Sequence, residues 1–169
     1  ARSESTILRG KIKLGSNYFK GIFTDARYAL TSPLRWDKDD WITTSIVAGV
    51  TGVFFVLDDE INEDVKNIRS STTDDISSVF EPFGNAAFTI PVMMGFYFYG
   101  NFWENEKVER TALLAAESFL VTSLFTGALK VMMGRTRPFD GVSADEFKGP
   151  TTSNNAFPSG HTATAFAIA

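Results

Sequence analysis

Apolar and polar positions along this chain recur at helical spacing and in long blocks, not in the strict alternation of half-buried strands. Phe19, Ile22, Phe23, Ala26 and Leu30 fall at three- and four-residue steps, the spacing of one helix face, and Pro33 stops that helix. Asp37, Asp39 and Asp40 precede residues 41–57, which carry no charge; acids in a first turn favour a helix start through the macrodipole. Residues 58–81 are polar, with a break predicted at 70–73. A second apolar segment, 83–102, carries Asn85 and is predicted to be interrupted at Pro91. A third, 112–133, holds Glu117 and Lys130 within an otherwise apolar stretch. Residues 139–157, rich in Gly, Pro, Ser, Thr and Asn, read as a loop, and 160–169 as a short run of small apolar residues. The pattern predicts an all-α fold, a helical bundle of five or six helices.

Length and polarity bear on whether these helices meet lipid. The uncharged run 41–57 sits at the bottom of the ~17–25 residues that cross a bilayer, and Thr43, Thr44 and Ser45 weaken it further. A charge at the bilayer centre costs at least ~2.5–3.5 kcal/mol, so Glu117 and Lys130 require an interior or watery setting. Mean hydropathy is close to zero, which fits a soluble bundle and a membrane-associated one equally.

Composition narrows the chemistry. A length of 169 residues suits a single domain of the usual ~100–200 residues, with 37–169 as its helical core behind an arm, 1–36. The absence of Cys excludes disulfides, thiolate catalysis and Cys-held metals, and one His excludes a multi-His metal site within these residues. A net charge of −4 argues against nucleic acid as a partner. Half of the bases nevertheless lie in residues 1–38: Arg2, Arg9, Lys11, Lys13, Lys20, Arg27, Arg35 and Lys38. A basic arm with an apolar face either lies on an anionic membrane surface or docks as an amphipathic helix on the body. The aromatic share of 14%, with 16 Phe, suits either an apolar groove or simple core filling.

Two short stretches carry candidate chemistry. The first is Lys130-Val-Met-Met-Gly-Arg-Thr-Arg137-Pro138. On one continuous helix the step from Lys130 to Arg137 returns to nearly the same face ~10 Å along the axis. Pro138 would then end the helix at Arg137, and the two cations would converge on one anion. Arg offers a planar fork for phosphate oxygens and Lys a mobile point charge; as cations in the last turns of a helix, both residues also fit a role limited to the macrodipole. The second stretch is Phe157-Pro158-Ser159-Gly160-His161-Thr162, which reads as a helix start. Free backbone N–H groups at such a start form an anion site, and Gly160 lets the backbone approach it closely. His161 in that first turn is suited to protonate a leaving oxygen, although an isolated His at a helix start is more often merely polar.

Together, Lys-x6-Arg-Pro followed by Pro-Ser-Gly-His resembles the first two signature motifs of the type 2 phosphatidic acid phosphatase superfamily, which also holds soluble bacterial acid phosphatases and vanadium haloperoxidases. The resemblance runs from Lys130 to Thr162 and implies a phosphate site at helix ends. It implies that Lys130, Arg137, Ser159 and Gly160 hold the phosphate and that His161 is the catalytic acid. It implies no metal and no cofactor, with vanadate as a phosphate mimic. The implied partner is a phosphorylated lipid or small molecule, in the bacterial cell envelope, periplasmic or membrane-associated. The family's third motif, Ser-Arg-x5-His-x3-Asp, which supplies the nucleophilic His, has no counterpart in this sequence. The expectation is that the natural protein continues beyond Ala169 and forms a phosphohistidine there, these residues alone being inactive. The alternatives are a non-catalytic phosphate-binding or scaffolding relative, and a vanadium-dependent haloperoxidase.

Overall fold

The computed structural model describes residues 13–136, 147–151 and 156–169. Among them are seven α-helices: α1 (Ser16–Leu30), α2 (Lys38–Val56), α3 (Asp58–Ile68), α4 (Ser71–Gly84), α5 (Ala86–Phe102), α6 (Glu106–Met133) and α7 (Gly160–Ile168). A 3-10 turn, Ser32–Arg35, follows α1, and no named strand occurs among the described residues. The bundle is therefore all-α as the pattern predicts. Its helix count exceeds the predicted five or six because the polar stretch 58–81 folds into α3 and most of α4.

Local chemistry explains the boundaries. Asp37 caps α2 by accepting from the Asp39 and Asp40 backbone N–H groups at 2.9 and 3.0 Å, while its own N–H donates to the Asp40 carboxylate at 3.2 Å. At the break before α4, the Ser70 N–H donates to Thr73 Oγ1 and the Thr73 N–H donates back to Ser70 Oγ. Asn85 is not an interruption inside one apolar helix. It caps α5, taking the Ala87 N–H at 2.9 Å, and divides α4 from α5. Pro91 lies within α5 without ending it. Asn105 takes the Val108 N–H at the start of α6.

The chain divides into two compact units. The first comprises Ala1–Leu30, Pro82–Leu124 and Gly160–Ala169; the second comprises Thr31–Glu81 and Phe125–Ser159. Every buried apolar side chain among the described residues belongs to the first unit: Tyr18, Ala112, Leu113 and Phe119. There α1 meets α6 through the Tyr18 hydroxyl, which donates to the Leu113 carbonyl at 2.7 Å. A Cβ on Gly100 would collide with the Glu109 backbone nitrogen, so glycine permits the close approach of α5 and α6.

The face that α1 turns inward differs from the expected one. Tyr18 is buried and Ile22, Asp25 and Ala26 are half-buried, whereas Phe19, Phe23 and Leu30 are exposed. Asp25 packs inward because it hydrogen-bonds Glu117, which is only 6% exposed on α6. Glu117 thus lies in the interior, where burial disfavours its charged form. Burial, the hydrogen bond to Asp25 and that neighbour's charge push its carboxyl up to about 7. Burial, with Glu117 beside it, pushes the Tyr18 phenol up to about 12.

In the second unit α2 buries none of its residues, and Ile46, Val47, Val53 and Phe54 are exposed. Both α2 and α6 are long and apolar enough to cross a membrane by length and composition.

Candidate functional site

The end of α6 is built by glycine. Met133 is its last residue, and Gly134 adopts φ +58° while its N–H closes onto the Lys130 carbonyl at 2.9 Å. A Cβ there would meet the Gly149 carbonyl oxygen, which the close approach of residues 147–151 brings against it. Those residues hold the helix end: the Thr151 N–H donates to the freed helix carbonyl of Val131 at 3.0 Å, and the Lys148 N–H donates to the Gly134 carbonyl just beyond the helix at 3.1 Å. Arg135 forms an isolated antiparallel bridge with Phe147, and its carbonyl accepts from the Ala156 N–H at 3.1 Å.

This geometry corrects the expectation of one continuous helix from Lys130 to Arg137. The helix stops four residues short of Arg137, at a left-handed glycine, so shared helix-face spacing does not relate the two cations. Lys130 stands half-buried in the last turn of α6. Arg137, like Asp140, Asp145 and Glu146 of the anticipated loop, lies outside the described residues.

The second motif matches its expected form more closely. Ser159 is exposed and immediately precedes α7, which starts at Gly160 with His161 in its first turn. His161 is exposed. Within the first unit its backbone lies against the end of α4: a Cβ on Gly84 would stand 2.7 Å from the His161 Cβ and 3.0 Å from its Cα and carbonyl oxygen. A larger residue at 84 would displace the turn that carries the imidazole. Within the second unit, the end of α6 and the segment leading to Ser159 are joined through Arg135 and Ala156.

Residues that the pattern did not single out complete that junction. The Arg135 guanidinium pairs with Asp58, the first residue of α3, and lies over the Phe55 ring at 5.4 Å from its centroid. Phe55 in turn meets Phe147 and Phe157 edge to face, at 5.4 and 4.9 Å. Arg135 stands between Lys130 and Arg137, but Asp58 reads in sequence only as one acid among many, 77 positions away. Among the described residues no group of His, Cys, Asp and Glu is arranged to hold a metal ion.

Comparison with known proteins agrees with both motifs. Residues 111–169 match the family model described as PAP2 superfamily, a span that contains Lys130, Arg137, Ser159, Gly160 and His161. No curated protein and no solved structure matches the chain. Residues 111–169 are thus similar to the PAP2 superfamily, the family whose first two motifs the sequence resembles.

Proposed function

We propose that this chain forms the phosphate-binding part of a metal-independent phosphatase acting on a phosphomonoester or a lipid (pyro)phosphate. The observation that carries the reading is the family match across both motifs, Lys130 to Arg137 and Ser159 to His161. The junction of Arg135 with Ala156 supports it, because it ties the helix end bearing Lys130 to the segment that ends on Ser159. In this reading the Lys130 ammonium and the Arg137 guanidinium neutralise the phosphoryl oxygens. The Ser159 hydroxyl and the Gly160 N–H at the start of α7 donate to those oxygens. His161 delivers its proton to the departing alkoxide. A double displacement also needs a nucleophile on the far side of phosphorus. His161 is the single histidine and serves as the acid, so the attacking imidazole comes from outside these 169 residues. The exposed apolar side chains of α2, together with Phe96, Phe98 and Phe102 of α5, favour a substrate with an apolar tail presented at a membrane.

Hydrolysis of p-nitrophenyl phosphate and of phosphatidic acid in mixed micelles by the natural-length protein tests this. His161→Ala is expected to lower kcat ~100-fold or more. Lys130→Ala should weaken inorganic phosphate binding ~10-fold or more, the loss of a charge-assisted contact. Turnover should survive chelation. Wild-type turnover in His161→Ala overturns the assignment of the acid, and phosphate binding without turnover in the natural-length protein favours the non-catalytic relative.

A further inference from the structure

Arg135 is a cation beside a phosphate motif, and two observations argue against its serving as a further phosphate ligand. Its guanidinium is already engaged by the Asp58 carboxylate, with the two side chains only 14% and 25% exposed. The Phe55 ring occupies one face of the guanidinium plane. Releasing the guanidinium to an anion would leave the Asp58 carboxylate desolvated and uncompensated, which opposes that exchange. Arg135 also acts through its backbone, accepting from Ala156 and bridging to Phe147. One residue thereby gathers four parts of the second unit: the α2–α3 corner at Phe55 and Asp58, the end of α6, residues 147–151, and the segment from Ala156 to Ser159.

We propose that Asp58, Phe55 and Arg135 form a positioning bracket that sets the phosphate-binding register between Lys130 and Ser159, acting through those residues without touching the anion. Lys130 lies five positions before Arg135, and Ser159 lies three after Ala156, so the lever arms from the bracket to the binding groups are short. A rigid support of this kind matters because displacement of a binding group by about 1 Å forfeits much of its contribution. The cation-holding role belongs to Asp58, which lies far outside the residues that match the family model.

The inference rests on the phosphate-binding reading, and its test separates the two. Orthovanadate affinity of the 169-residue chain is measured by titration for wild type, Asp58→Asn, Arg135→Gln and the double variant, with helical circular dichroism recorded for each. Each single change should weaken binding about tenfold, and the double should be no weaker than either single, because both remove the same bracket. Arg135→Lys, which keeps the ion pair, should recover most of the affinity, and helical content should stay at the wild-type level throughout. Amide exchange at Ala156 supplies a readout free of ligand: it should accelerate in Asp58→Asn. If Arg135→Gln weakens binding while Asp58→Asn does not, or the two losses multiply towards a hundredfold, Arg135 meets the anion itself and the bracket is overturned. If the wild-type chain binds no orthovanadate, the phosphate reading falls; unchanged Ala156 exchange in Asp58→Asn then overturns the bracket as well.

Discussion

The two units of this chain are held together by different physics. The first packs helix faces: Tyr18, Ala112, Leu113 and Phe119 are withdrawn from water, and glycines at 84 and 100 allow backbones to touch. The second buries no apolar side chain among its described residues. It relies instead on a left-handed glycine, three backbone hydrogen bonds that loop residues donate to the last turn of α6 and the two residues after it, one shielded ion pair and a cluster of phenylalanine rings. A face of packed apolar groups tolerates rotation and sliding, because burial has no direction. Hydrogen bonds and a guanidinium fork have direction, so the second unit is suited to hold Lys130 and Ser159 at a fixed spacing. The difference assigns stability mainly to one unit and precision to the other.

Substituting Gly134 is the sharpest way to break that division. Gly134→Ala places a Cβ on a residue at φ +58° and against the Gly149 carbonyl oxygen, so backbone must move. Strain and steric displacement together should cost roughly 3–5 kcal/mol locally. Phosphate affinity should fall more than tenfold, while the thermal transition of the first unit shifts little. Titration calorimetry beside circular dichroism checks both, and retained affinity would show that the α6 terminus does not govern the site.

Leu113→Ala should produce the opposite outcome. Leu113 is 4% exposed in the packed face of α6, and truncation of such a side chain costs ~2–5 kcal/mol. The unfolding midpoint should drop by several degrees, and the folded protein should bind phosphate with nearly unchanged affinity. Equal losses of stability and affinity would show that the two units do not divide the work.

How much of this was legible in the sequence follows the same line. Helix positions were readable where periodicity and caps are local: the stop before Pro33 required only neighbours within a few positions, and the break predicted at 70–73 falls at 69–70, with residues 71–73 already in the first turn of α4. The motif residues were readable for the same reason, being two short runs. What was hidden depended on pairings distant in sequence. Nothing local marks Asp58 as the partner of Arg135, or Asp25 as the inward residue of α1 in place of Phe23. Gly134 is visible in the sequence, but its left-handed conformation goes with the close approach of residues 147–151, so nothing local marks the helix as ending four residues before Arg137. The third motif's absence from these residues was plain, and it bears on turnover more than on binding.

The smallest expected effect concerns charge inside the packed unit. Glu117 is held up to about 7 by burial and by Asp25, against an ordinary value of 4.5. The folded state therefore keeps a proton that the unfolded chain releases, so the stability attached to this proton is fully present below pH 4.5 and is lost as pH rises towards 7. The full swing is at most roughly 3.5 kcal/mol. Tyr18, which also faces Glu117, stays neutral throughout this window, since even an ordinary phenol near 10 is protonated there and its own is pushed further up, to about 12. Glu117→Gln supplies the neutral form at every pH and can still donate to Asp25. Its unfolding free energy should be nearly flat between pH 4.5 and 7, while the wild type declines. Urea melts at half-unit steps check this, and parallel profiles would mean that the Glu117–Asp25 contact does not hold the shared proton. The second unit, whose ion pair joins a guanidinium to a carboxylate, should leave phosphate affinity unaffected by the Glu117 change across the same range.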